Sequence, residues 1–105
     1  MRDHTKLKAF HLADALALKT YKITSDFPKN ERYGLTSQLR RSAVSSPSNI
    51  VEGCARHTEA DYLRFLDMAY GSACELGYQL SLAVRLRLFT PECISELKGR
   101  CCIIS

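Results

Sequence analysis

Arginine side chains offer the clearest chemistry in this sequence. Arg40 and Arg41 are adjacent, and between Lys19 and Arg56 the chain carries seven basic residues (Lys19, Lys22, Lys29, Arg32, Arg40, Arg41 and Arg56) against three acids, Asp26, Glu31 and Glu52. With Arg64 these side chains form a candidate phosphate-binding surface. The planar guanidinium fork suits phosphate oxygens, and clustered cations attract a polyanion. Such binding is independent of nucleotide sequence and weakens as salt rises. The formal charge of +4 and the isoelectric point near 8.9 agree with RNA or DNA as partner without requiring either. The competing reading of the same cations is an ordinary solvated face.

A second polar group also admits two readings. Arg40, Arg41, Asn49, Glu52 and Glu75 lie on or beside apolar stretches, and buried polar groups must find partners. In one reading Arg41, Asn49, Glu52 and Glu75 form a structural network, with Arg41 paired to Glu52 or Glu75 and fixing helix register. In the other, one or both arginines point outward and grip phosphate.

The remaining reactive residue types form no pattern. His4, His11 and His57 are scattered, no His-Cys or His-Asp spacing suggests nucleophilic catalysis, and the Glu-x-x-His pairs of bundle metal sites are missing. Five cysteines (Cys54, Cys74, Cys93, Cys101, Cys102) make an odd set without paired metal-ligand spacing, as expected of free thiols in a reducing compartment. Cys54 and Cys74 are expected as small core residues. No catalytic residue, metal or cofactor is assigned, and an enzyme is not expected.

The elements that position these groups follow from apolar spacing. Ala9, Ala13, Leu16, Thr20, Ile23 and Phe27 recur in steps of four and three and predict a helix over about 9–27, broken by Pro28. Leu35, Leu39, Ala43, Ser46, Ile50 and Cys54 line a second helix over about 32–55. Pro47 lies inside it, and the spacing keeps its phase across the proline, so a kink is expected rather than two shorter helices.

Thr58 with Asp61 resembles a capping box and opens a third helix over about 58–88, roughly 45 Å long. Its stripe is Tyr62, Leu66, Ala69, Ala73, Leu76, Leu80 and Ala83. Gly71 and Gly77, with Ala69, Ser72 and Ala73, make a narrow side suited to close helix approach. Tyr62, Tyr70 and Tyr78 drift slowly around the same helix, as core edge or subunit contact. Thr90 and Pro91 open a fourth segment over about 91–102 through Ile94, Leu97 and Cys101. The expectation is a single all-α domain over 1–105.

No uninterrupted apolar run marks a secretory signal, and no stretch approaches the roughly 18 apolar residues that span a bilayer. A cytoplasmic protein without membrane contact is expected.

The run from Phe27 to Ala43 (Phe-Pro-Lys-Asn-Glu-Arg-Tyr-Gly-Leu-Thr-Ser-Gln-Leu-Arg-Arg-Ser-Ala), then Ser48-Asn49-Ile50-Val51-Glu52-Gly53, Tyr62-Leu63-Arg64-Phe65-Leu66 and Ala69-Tyr70-Gly71-Ser72-Ala73-Cys74-Glu75-Leu76, resembles one family. It is similar to the bacterial four-helix bundle proteins encoded within intervening sequences of 23S ribosomal RNA genes. The resemblance spans about Phe10 to Leu88. It implies an up-down four-helix bundle that assembles as a ring of five subunits and has no enzymatic activity. It also implies kinship with the accessory protein of diversity-generating retroelements, which works with a reverse transcriptase and binds nucleic acid. The final Cys102-Ile103-Ile104-Ser105 has the form of a prenylation box, which is set aside because bacteria lack that pathway. The leading expectation is a non-enzymatic homo-oligomer that binds nucleic acid or serves a ribonucleoprotein. The alternative is a protein-interaction scaffold whose basic face is incidental.

Overall fold

The structure, a computed structural model, describes residues 2–89. Among them are three α-helices and no strand: α1 (Lys8–Thr24), α2 (Leu35–Cys54) and α3 (Glu59–Arg85), with short 3-10 turns at His4–Lys6 and Lys29–Glu31. The fourth helix expected over 91–102 lies outside the described residues.

Each boundary has a local cause. Helix α1 stops at Thr24, three residues before the expected end, and Asp26 and Phe27 close turn bonds to the carbonyls of Ile23 and Thr24. Pro28 disfavours helical angles at Phe27, whose ring turns into the core beside Phe89, 4.9 Å between centroids. Within α1, Thr20 and Thr24 are buried because their hydroxyls donate back to the carbonyls of Leu16 and Thr20, at 2.8 and 2.7 Å.

Helix α2 begins at Leu35 rather than Arg32, since the Lys29–Glu31 turn intervenes. The Leu35 amide donates to Glu31 Oε1 at 3.3 Å, placing a carboxylate at the positive end of the helix. The helix runs without interruption through the buried Pro47, so two separate helices do not form.

Thr58 caps α3 by accepting from the Asp61 amide at 3.1 Å. At the other end Arg87 adopts a left-handed φ of 59°. The Leu88 amide donates to the Ala83 carbonyl and the Arg87 amide to that of Val84. These two bonds are a Schellman closure with arginine where glycine is usual, and they end the helix at Arg85.

Helix α2 packs against both other helices. Residue pairs between α2 and α3 run in opposite directions: Gln38 meets Gln79, Ser42 meets Glu75, Ser45 meets Ser72, Ser46 meets Ala69 and Gly53 meets Phe65. The Arg2 amide donates to the Cys54 carbonyl and Arg40 reaches Thr24, so α1 is antiparallel to α2 as well. The main core holds Leu16, Phe27, Leu35, Leu39, Ala43, Leu76, Leu80 and Ala83. A second cluster joins Ala13, Ile50, Cys54 and Ala69.

The expected α2 stripe is buried throughout, and that of α3 is buried from Ala69 to Ala83. Three expectations are corrected. Ala9 is exposed, because the first turn of α1 packs Phe10 rather than Ala9 against the second cluster. Cys74 is exposed rather than buried, since it lies one position beyond the Ala73 row that faces α2. Gly71 faces open space, and the close approach occurs instead at Gly53, where an added Cβ would lie 2.8 Å from Phe65 Cβ.

Two stability measurements check this account. Gly53→Ala lowers unfolding free energy in urea by about 1–2 kcal/mol, because overpacking against Phe65 outweighs the gain in helix propensity. Arg87→Gly raises it by about 1 kcal/mol by removing the left-handed strain.

Candidate nucleic-acid interface

Arg40 fixes the geometry of the basic face. Its position on α2 brings the guanidinium to the end of α1. There Nε donates to Thr24 Oγ1 at 2.8 Å, Nη2 donates to the Tyr21 carbonyl at 3.4 Å, and the plane lies 4.6 Å from the Tyr21 ring centroid. The cation thus satisfies groups in the last turn of α1, where the helix dipole favours positive charge. Arg40 is half-buried, a clamp between two helices.

The next residue, Arg41, is exposed and takes no part in that clamp. It lines a groove of about 600 Å³ between α1 and α2 together with Tyr21, Arg32, Tyr33, Thr36, Ser37, Arg40, Val44 and Ser45. A second hollow of about 450 Å³ adjoins it, bounded by Thr24, Ser25, Phe27, Pro28 and Lys29 and sharing Arg32, Thr36 and Arg40 with the first. No carboxylate among the described residues lines either hollow. Glu31, the nearest acid in sequence, is turned toward the Leu35 amide. Arg32, Arg41 and Lys29 make no ion pair with any described residue.

The eight expected phosphate-binding residues therefore divide. Lys29, Arg32, Arg40 and Arg41 share the trough at one end of the molecule. Lys19 and Lys22 lie on α1 and line neither hollow. Arg56 follows the last turn of α2, about 20 Å from Arg41 at the helical rise per residue, and Arg64 lies near the start of α3 at that same far end.

That distant cluster is matched by acids. Arg56 is 3.7 Å from Glu52 and Arg64 is 3.6 Å from Asp61. Both guanidiniums lie over the Phe65 ring, at 5.0 and 4.7 Å from its centroid. Arg2 covers the Tyr62 ring at 3.9 Å. Exposed pairs of this kind contribute little to stability, and they leave less free charge for a polyanion.

The expected pairing of Arg41 with Glu52 or Glu75 does not form among the described residues. Glu52 turns to Arg56, Glu75 accepts from Ser42 Oγ at 3.1 Å, and Asn49 donates to the carbonyl and hydroxyl of Ser45. The shorter polar contacts between α2 and α3 run through Ser42, Ser45 and Ser46, and Gln38 and Gln79 form a longer pair at 3.5 Å. Tyr21 and Tyr33 are the interface residues that charge alone did not indicate. Their signal was their place among the basic residues, Tyr33 beside Arg32 and Tyr21 beside Lys22.

No group of three or more His, Cys, Asp or Glu among the described residues could hold a metal ion. No described helix is long and apolar enough to cross a membrane. Burial pushes the Cys54 thiol up from its ordinary range, as expected of an inert core residue rather than a nucleophile.

Residues 5–105 match the family described as 23S rRNA-intervening sequence protein. The chain also shares its fold with a solved structure from Bacteroides thetaiotaomicron, a protein of unknown function from the S23 ribosomal protein family. The TM-score is 0.81 at 23% identity, covering 91% of this chain and 90% of that one. No curated protein sequence matches the chain.

Substitution separates the two adjacent arginines. Arg40→Gln lowers unfolding free energy by about 1–2 kcal/mol through loss of the Thr24 and Tyr21 bonds. Arg41→Gln changes it by less than about 0.5 kcal/mol. Equal effects in urea denaturation would refute the division between clamp and free cation.

Proposed function

Because the chain belongs to the 23S rRNA-intervening sequence protein family, we propose that it is a non-enzymatic nucleic-acid-binding bundle protein that serves a ribonucleoprotein. The observation that carries this reading is the acid-free trough holding Arg32, Arg40, Arg41 and Lys29. Guanidiniums converging without carboxylates favour a polyanion, and the trough is open to an extended ligand.

In this reading the segment over 91–102 adds a fourth antiparallel helix, Pro47 bends α2, and the subunits close into a ring of five in the cytoplasm. Self-association is supported by α3, where Leu63, Tyr70, Cys74 and Tyr78, in steps of seven and four, lie exposed on the side away from the core. A ring would repeat the basic trough five times and multiply its field. The proposed kinship with retroelement accessory proteins adds a reverse-transcriptase-like protein as a further partner in this reading.

The same apolar stripe on α3 favours a second reading, a protein-interaction scaffold. Salt titration distinguishes them. With three phosphates neutralised per subunit, affinity for heterogeneous RNA falls roughly 20-fold between roughly 50 and roughly 200 mM salt, and Arg41→Gln lowers the logarithmic slope by about 0.7. Absence of RNA and DNA binding at the lowest salt would leave the scaffold. Native mass spectrometry reads the subunit number in the same preparation, and a monomer at high concentration would refute the ring.

A further inference from the structure

Resting on the nucleic-acid reading above, we infer that the trough between α1 and α2 takes a single strand, with Tyr33 as the platform on which a base stacks. Tyr33 is 91% exposed, more than any other large hydrophobic or aromatic side chain described. It makes no ring or cation–π contact with any described residue, whereas Tyr21 is covered on one side by Arg40. The free aromatic face therefore lies beside Arg32, on the wall that also carries Arg41. A base stacked on an aromatic ring next to phosphate-binding cations is the usual way proteins hold single strands without reading their sequence.

The shape of the trough selects against a duplex. Packed helices lie about 8–10 Å apart, so the hollow between α1 and α2 is too narrow to admit the cross-section of a double helix, which could rest only on its rim. A duplex also keeps its base faces within its own stack, so it could use the arginines but not the tyrosine. A single strand presents both phosphates and base faces.

The two hollows share Arg32, Thr36 and Arg40 in their linings, so a strand running from Val44 to Pro28 would cross these three residues. Thr36 lies at their junction, only 6% exposed, and its hydroxyl has no hydrogen-bond partner.

The test uses the full chain and a labelled mixed-sequence RNA of about 15 nucleotides, alone or annealed to its complement, read by fluorescence anisotropy. The single strand binds more tightly than the duplex. Tyr33→Ala weakens single-strand binding by about fivefold or more, Tyr33→Phe retains it, and neither changes duplex binding. Because the chain has no tryptophan, Tyr33→Trp introduces a unique fluorophore whose emission is quenched by the single strand and not by the duplex.

Equal affinity for both forms, or an unaltered Tyr33→Ala, overturns the inference. If Arg41→Gln still weakens binding in that case, the basic-face reading survives it. A change of native mass in Tyr33→Ala also overturns the inference by making the ring a contact between copies. Absence of binding to either form at low salt overturns both.

Discussion

The close antiparallel contact between α2 and α3 is the constraint on which the rest of the structure depends. Two helices approach this closely only where side chains at the contact are short, and here Ser45, Ser46 and Gly53 of α2 meet Ser72, the Ala69 carbonyl and Phe65 Cβ of α3. Serine brings a polar atom into the seam, and each hydroxyl is answered across it: Ser46 donates to the Ala69 carbonyl, Ser45 bonds with Ser72, and Ser42 donates to Glu75. These pairs fix register in a way that alanine alone would not, since a slip by one turn would leave buried hydroxyls unpaired. With α2 committed on that side, α1 packs along the remaining flank of α2 and shares its core with α3, and the trough opens along the line where α1 and α2 meet.

The character of the trough owes as much to the placement of acids as to that of bases. Net charge is modest, but two of the three carboxylates between Lys19 and Arg56 are engaged elsewhere. Glu31 meets the amide at the start of α2, and Glu52 accompanies Arg56. Arg40 spends its donors on the end of α1, which ties the two helices together and leaves the neighbouring Arg41 facing solvent. One basic dipeptide thus places one guanidinium between two helices and the other in solvent, because successive residues on a helix point about a quarter-turn apart.

Much of the fold was legible in the residues. The four-three spacing located the buried faces of α2 and α3, Thr58 marked the start of α3, and Pro28 marked the break after α1, because these signals act within one or two helical turns. Phe65 escaped notice because it lies beside the strict α3 stripe and is buried by the gap at Gly53, a contact between residues distant in sequence. Cys74 and Gly71 were misplaced for the complementary reason: small residues fit a buried or an exposed position equally well, so size alone does not assign a face.

The sequence by itself determined that this chain is helical, where its apolar stripes lie and that its middle is basic, since periodicity, capping chemistry and charge are local properties. Only the tertiary structure decided which cations act together. Lys29, Arg32, Arg40 and Arg41 share one trough with Tyr21 and Tyr33, while Arg56 and Arg64 lie at the far end beside their own acids. The reason is that a side chain's neighbours across a groove depend on how helices cross and in which direction they run, and spacing along a single chain does not contain that information.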